Sequence, residues 1–180
     1  MSPILGIWAS SFAQPTGDYQ AIMTATVDSG GASSITFSSI PSTFKHLQIR
    51  GIAKNSQASD LRVQYNSDTA TNYAWHYLLG NGSSAVAGAA TTTSSMVIST
   101  LGATANVFNG IVADIHDYTN TSKNKTIRTL SGNDFNGSGS VFFISGLWIS
   151  TAAISNIKLF PDAGTFSQYT SFTLYGIKGA

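Results

Sequence analysis

The sequence predicts an all-β protein, an antiparallel β-sandwich or barrel preceded by an extended N-terminal arm. The first observation is composition: charged residues make up only 9% of the 180 residues, and all eight acidic residues are Asp. Ser, Thr and Asn fill the polar positions, and they form helices less readily than Glu and Lys do. The second observation is that short β-branched and aromatic runs recur from residue 19 onward, separated by Gly, Asn, Asp and Ser. Such regular spacing is typical of a sandwich or a barrel.

Residues 1–18 are predicted to form the arm, and residues 19–180 the β-sandwich domain, because a chain of this length fits one domain. The arm has little periodicity, but it contains five large apolar side chains, those of Ile4, Leu5, Ile7, Trp8 and Phe12. An exposed segment this apolar needs a cover. We therefore expect these five residues to bind a partner; the alternative is that the arm folds back on its own sandwich.

The strands follow in order from the β-rich runs. They are predicted at residues 21–27, 34–37, 44–53, 61–65, 73–79, 94–99, 106–118, 125–133, 140–149, 153–160 and 167–177. Ser29, Gly30 and Gly31 predict a tight hairpin between the first two strands. Residues 80–95 contain Gly, Ala, Ser and Thr with almost no large side chain, which favours a long surface loop.

Alternation along the strands predicts which side chains face the core. Leu47, Ile49 and Gly51 share one face of the third strand, and the Gly indicates a bulge at this point. The run 140–149 is nearly all apolar, which predicts a central strand covered on both faces or covered by a neighbouring subunit. The residues expected to be strongly buried are Leu47, Ile49, Phe142, Ile144, Trp148 and Leu174.

Charge and cysteine content exclude several classes of function. The formal net charge is +1, which leaves no basic footprint for nucleic acid or for an acidic membrane. The chain has no Cys, so disulfides, a thiol nucleophile and cysteine–metal sites are excluded. No run approaches the roughly 18 apolar residues of a membrane span, and no basic residue precedes Lys45, so neither a span nor a signal peptide is expected.

The only dense titratable cluster is formed by Asp114, His116 and Asp117. On a strand, Asp114 and His116 point to one face and Asp117 to the other. A hydrolase would need a nucleophile, and no Gly-x-Ser-x-Gly elbow is present. A zinc site would need two more close ligands, and His46 and His76 are distant in sequence. We interpret the cluster as a strand end with a salt bridge or turn cap, and we expect no catalytic residue, no metal and no cofactor; the rival hypothesis is a hydrolase that uses Asp114 and His116.

Tyr73, Trp75 and Tyr77 alternate on one face of the fifth strand, with His76 on the other. Stacked aromatic side chains can hold a sugar ring, and the same spacing is also ordinary for a sandwich core. Both interpretations stay open at this point.

Four segments are familiar as a set. They are residues 2–11 (SPILGIWASS), residues 31–41 (GASSITFSSIP) continuing into 46–50 (HLQIR), residues 145–148 (SGLW) and residues 172–179 (FTLYGIKG). Together they resemble a group of small structural proteins of tailed bacteriophages, including cyanophages. The matching motifs are strands and turns, so they transfer no catalytic residue.

The resemblance implies a jelly-roll-like sandwich located in the virion. The expected function is that of a non-enzymatic capsid decoration (cement) protein, a homotrimer that binds the major capsid protein on the outer surface and stabilises the head. No nucleic acid, membrane or cofactor is expected as a partner. The alternative is a tail-fibre or receptor-binding module that contacts tail proteins and binds carbohydrate through Tyr73, Trp75 and Tyr77.

Overall fold

The computed structural model describes residues 17–179, and these residues form strands and no helix, as the composition predicts. The strands are β1 (Tyr19–Thr26), β2 (Ile35–Phe37), β3 (His46–Ala53), β4 (Ser59–Tyr65), β5 (Tyr73–Gly80), β6 (Ala85–Thr93), β7 (Met96–Leu101), β8 (Asn109–His116), β9 (Lys125–Asp134), β10 (Gly139–Trp148), β11 (Ile157–Pro161) and β12 (Ser171–Ile177). No helix long and apolar enough to cross a membrane occurs in this part of the chain.

The strands form two sheets that pack face to face. The large sheet has the order β1-β12-β3-β8-β9-β10-β5-β6, and the small sheet has the order β2-β11-β4-β7. Every ladder is antiparallel. The antiparallel β-sandwich is therefore confirmed, whereas the narrower jelly-roll assignment stays a prediction. The edge strand β7 of the small sheet packs mainly against β9 and β10 and more sparsely against β5, and β6 lies next to β5 at the edge of the large sheet.

The core lies between the two sheets and contains the residues that alternation predicts. Six side chains expected to be strongly buried are at most 8% exposed: Leu47, Ile49, Phe142, Ile144, Trp148 and Leu174. Trp148 packs edge-on against Tyr65, with ring centroids 5.6 Å apart, and stacks on Tyr73 at 6.3 Å. Its indole Nε1 donates a 2.7 Å hydrogen bond to Asp68 Oδ2. This cluster closes one end of the core.

The predicted hairpin between the first two strands is wrong. Gly31 does make a turn, with φ of 70° and its N–H donating to the carbonyl of Asp28. However, β1 pairs with β12 in the large sheet, and β2 pairs with β11 in the small one. The turn therefore carries the chain from one sheet to the other, because local turn chemistry does not determine which strands pair.

The prediction of a loop at residues 80–95 is also wrong for most of that segment. Residues 85–93 form β6, the edge strand of the large sheet, which pairs with β5. Its Ala and Gly residues have weak strand propensity, but cross-strand pairing with an aromatic strand overrides that preference. Gly88, which pairs with Tyr77, leaves room for the Tyr77 ring, because an added Cβ at Gly88 would lie 2.5 Å from that ring.

The expected bulge at Gly51 is absent. Strand β3 keeps an unbroken register with both neighbours, and Ile52 is the outward residue, 51% exposed. Gly51 serves close packing instead, because a Cβ there would lie 2.3 Å from the ring of Phe172. The glycine therefore makes room for the Phe172 ring.

Lys125 is fully buried at the start of β9. Its ammonium donates hydrogen bonds to three backbone carbonyls, those of Asn120 at 2.7 Å, Lys123 at 3.0 Å and Thr151 at 3.0 Å. These bonds join the loop before β9 to the loop after β10. Charge-assisted bonds of this kind stabilise a buried ammonium.

Candidate functional site

The outer face of the large sheet carries a contiguous group of exposed apolar side chains. Of the nine large hydrophobic side chains exposed among residues 17–179, five lie here, between 47% and 58% exposed: Ile52, Leu78, Leu130, Val141 and Phe143. We call these five residues the outer patch. Register pairs Leu130 with Phe143 and Phe143 with Leu78, so three of them are direct cross-strand neighbours. Because sheet strands lie about 4.8 Å apart, this row spans roughly 10 Å.

A shallow groove of about 850 Å³ runs beside that row. In the next row, Gly110 pairs with Gly132, which leaves no side chain between Ile52 and Val141. An added Cβ at Gly110 would meet nothing within 4 Å. The outer patch therefore combines projecting apolar side chains with a depression that a partner's side chain can enter.

The apolar run 140–149 accounts for part of this patch. Phe142, Ile144 and Trp148 face the core, while Val141 and Phe143 face outward and are exposed. Residues 17–179 leave the outward face of β10 exposed, so these residues do not cover the strand on both faces. Coverage by a neighbouring subunit stays a prediction.

A second candidate surface lies where β5 and β6 extend past the small sheet. A cleft of about 340 Å³ lies there, between the inner faces of β5 and β10 and the strands β4 and β7 of the small sheet. Its lining is largely apolar and aromatic, with a polar wall at one side: Asp60, Trp75, Tyr77, Leu79, Val97, Thr100, Phe142 and Ile144. We call it the aromatic cleft. The ring centroids of Trp75 and Tyr77 are 5.8 Å apart, with an angle of 32° between the ring planes.

Tyr73, the third residue predicted to contact carbohydrate, does not belong to this cleft. It is fully buried, and its hydroxyl donates to the backbone carbonyl of Asp68 at 3.0 Å. Burial raises the pKa of Tyr73 to about 12. The small sheet covers Tyr73 but ends before Tyr77. Tyr73 is therefore a core residue, whereas Trp75 and Tyr77 line the cleft. The prediction of Tyr73 as a glycan contact is therefore wrong.

The polar wall of the cleft centres on the Asp60 carboxylate. Thr100 Oγ1 donates to Asp60 Oδ1 at 3.2 Å, and Arg62 Nη2 lies 3.6 Å from Asp60 Oδ2. Arg62 makes a closer pair with Asp162, whose Oδ1 lies 2.8 Å from Arg62 Nε. Asp60 is thus held in place while part of its carboxylate stays accessible, since the side chain is 36% exposed.

Asp114, His116 and Asp117 each contact different partners. Asp114 Oδ1 accepts a 2.7 Å bond from Gln48 Nε2 on the outer face. The exposed His116 ring meets His46 edge-on, with centroids 5.4 Å apart. Asp117 pairs with Lys45 at 3.0 Å and with Lys123. The interpretation as a strand end with a salt bridge is confirmed for Asp117.

Asp117 makes stability depend on pH at the acidic end. Hydrogen bonds from Lys123 and then Lys45 lower the pKa of Asp117 from 3.8 to about 2. Its carboxylate therefore contributes stability that is present above about pH 4 and is lost as pH falls from 4 towards 2. Both lysines are more than half exposed, so solvent screening limits the effect to about 1 kcal/mol.

We expect Asp117→Asn to remove this part of the acid dependence. Urea unfolding of wild type and variant between pH 2 and pH 6 measures it. The two proteins should differ most near pH 6 and converge near pH 2. A constant difference across that range would contradict the assignment.

The five arm residues predicted to bind a partner, Ile4, Leu5, Ile7, Trp8 and Phe12, lie outside the described residues. Within residues 17–179, no group of three or more His or Asp side chains is placed to hold a metal ion. In the comparisons with known proteins, no family model, no curated protein and no solved structure matches the chain.

Proposed function

We propose that this chain is a non-enzymatic structural protein of a bacteriophage virion, and specifically a capsid decoration protein. It binds the major capsid protein on the outer surface of the head and stabilises the shell as a homotrimer. The observation that carries this proposal is the outer patch, because contiguous exposed apolar surface marks a site of association with another protein.

The position of the patch supports a role in assembly. Its residues lie on β3, β9, β10 and β5, which are interior strands whose backbone groups are already paired within the large sheet. Partners can therefore bind through side chains alone, without strand addition, which suits one rigid module repeated many times on a shell. The low charge of the chain, 9% of residues, also limits repulsion between neighbouring copies.

The proposed location is tested by the number of copies per virion. A decoration protein is present in hundreds of copies, whereas a tail-fibre or receptor-binding module is present in a few tens or fewer. Quantitative gel densitometry of purified virions, calibrated against the major capsid protein, measures this number. A count in the low tens would overturn the head assignment and favour the tail alternative.

The role of the patch is tested by replacing Leu130 and Phe143 together with Ser. Both side chains are about half exposed, so their substitution should leave the fold intact. Loss of the area they would bury on the capsid should weaken attachment by about 2 kcal/mol, or roughly 30-fold. Co-sedimentation with undecorated capsids over a concentration series measures this affinity.

The matched control is Tyr169→Ser. Tyr169 is 65% exposed, and it lies outside the outer patch. The control should bind capsids as wild type does, with an unchanged melting temperature. Equal capsid binding by the double variant and the control would exclude the patch as the attachment surface.

A further inference from the structure

We propose that the aromatic cleft binds a neutral sugar in its pyranose form, with one face of the sugar ring on Tyr77 and Trp75 and its hydroxyl groups towards Asp60. This site is independent of the proposed capsid attachment, since it lies on the inner side of the large sheet and the outer patch lies on the other side.

The aromatic wall is built to present a flat surface. Gly88 pairs directly with Tyr77 across the β5–β6 ladder. The space above Gly88 is occupied by the tyrosine ring, because a Cβ there would lie 2.5 Å from the Tyr77 Cε1 atom. The ring thus lies across β6, and Trp75 continues the surface at 32° to it. The C–H groups on one face of a pyranose carry partial positive charge, which the negative face of an aromatic ring attracts.

The polar wall supplies acceptors for hydroxyl groups. Asp60 already accepts one bond from Thr100, and the remaining lone pairs of its carboxylate are available to a ligand. A hydroxyl that donates to a carboxylate makes a charge-assisted bond, stronger than one between neutral groups. Arg62 is held between Asp60 and Asp162, so the carboxylates outnumber the cation at this wall. This charge favours a neutral sugar over an acidic one.

Trp75 adds a donor that lacks a partner. Its indole N–H is buried and makes no hydrogen bond within the described structure. Buried donors of this kind are rare in folded proteins, and each one calls for an explanation. Because Trp75 lines the cleft, a hydroxyl of a bound sugar is the acceptor assigned to this N–H. The volume of about 340 Å³ fits one or two sugar units.

Saturation-transfer-difference NMR on the full chain tests the proposal with methyl glycosides of glucose, galactose and N-acetylglucosamine. At least one of them should receive saturation, strongest at the ring protons that face the aromatic side chains. Titration should give a dissociation constant in the range of about 1–10 mM. The methyl glycoside of glucuronic acid should bind more weakly, because its carboxylate meets Asp60.

Three variants identify the site. Tyr77→Ala removes the platform, Gly88→Ala displaces the Tyr77 ring without removing it, and Asp60→Asn keeps the shape but removes the charge. Each should weaken binding of the sugar by about tenfold or more. His76→Ala is the control, since His76 is exposed on the opposite face of the same strand and should leave binding unchanged.

Melting curves accompany each variant, so that loss of the fold is distinguished from loss of the site. If Tyr77→Ala does not fold, Gly88→Ala and Asp60→Asn still decide the question. Absence of saturation transfer for all three neutral glycosides would overturn the proposal. Binding that persists in folded Gly88→Ala and Asp60→Asn proteins would also overturn it. Neither result bears on capsid attachment, which the double variant of the outer patch tests separately.

Discussion

Replacing Trp148 with Ala is expected to lower the free energy of unfolding by about 3–5 kcal/mol. The side chain is 2% exposed and packs against Tyr65 and Tyr73. Its removal leaves a cavity between the two sheets and takes the hydrogen-bond donor away from Asp68. For a domain of this size, the melting temperature should fall by about 10 °C. Urea unfolding and thermal melts measure the two quantities.

Phe143→Ala is the matched control for this prediction. Phe143 lies on the same strand as Trp148 but faces outward, and it is 47% exposed. Truncation of an exposed aromatic side chain should cost less than about 1 kcal/mol. A Trp148→Ala protein that melts within a degree or two of wild type would contradict the placement of Trp148 in the core.

Replacing Lys125 with Met is expected to lower the free energy of unfolding by about 2–4 kcal/mol, because three backbone carbonyls lose their donor. Methionine fills a similar volume, so the change tests the hydrogen bonds rather than packing. Removal of the buried charge offsets part of this loss, since an ammonium is costly to desolvate. The carbonyls belong to two loops, at Asn120, Lys123 and Thr151, so these loops should exchange their amide hydrogens faster in the variant.

Lys123→Met provides the comparison from the same loop. The Lys123 side chain is 55% exposed and pairs with Asp117 at the surface, so its loss should cost about 1 kcal/mol or less. Urea unfolding at pH 7 measures both variants. Equal destabilisation by the two changes would show that the three carbonyl bonds add nothing beyond an ordinary surface charge.

The strand pattern shows how far sequence reasoning reaches. Alternation in β3 predicted the burial of Leu47 and Ile49, and the apolar run in β10 predicted Phe142, Ile144 and Trp148. These predictions succeed because successive side chains of a strand point to opposite faces, so a period of two reports directly which face is apolar. The same dependence on alternation explains why the sequence did not predict β6. Its Ala, Gly and Thr side chains are too small and too uniform to show a period of two.

Pairing partners could not be read from local sequence. The turn at Gly31 was recognised, but whether β2 joins β1 or β11 depends on contacts with residues more than a hundred positions away. The prediction of a bulge at Gly51 was wrong for a similar reason. That glycine makes room for the ring of Phe172, which lies far along the chain. Turn and glycine signals describe the local backbone, whereas register is decided by packing between distant segments.

By itself, the sequence determined the all-β class, the core residues of the long strands and an aromatic face on β5. Only the tertiary structure decided that Tyr73 is core while Trp75 and Tyr77 line a cleft, and that Leu130, Val141 and Phe143 meet on one exposed face. The physical reason is that alternation reports which side of a strand is apolar, but not whether another sheet covers that side. Here the large sheet has eight strands and the small sheet four, so the small sheet leaves part of the inner face of the large sheet uncovered. The apolar part of the outer face of the large sheet also has no cover among residues 17–179.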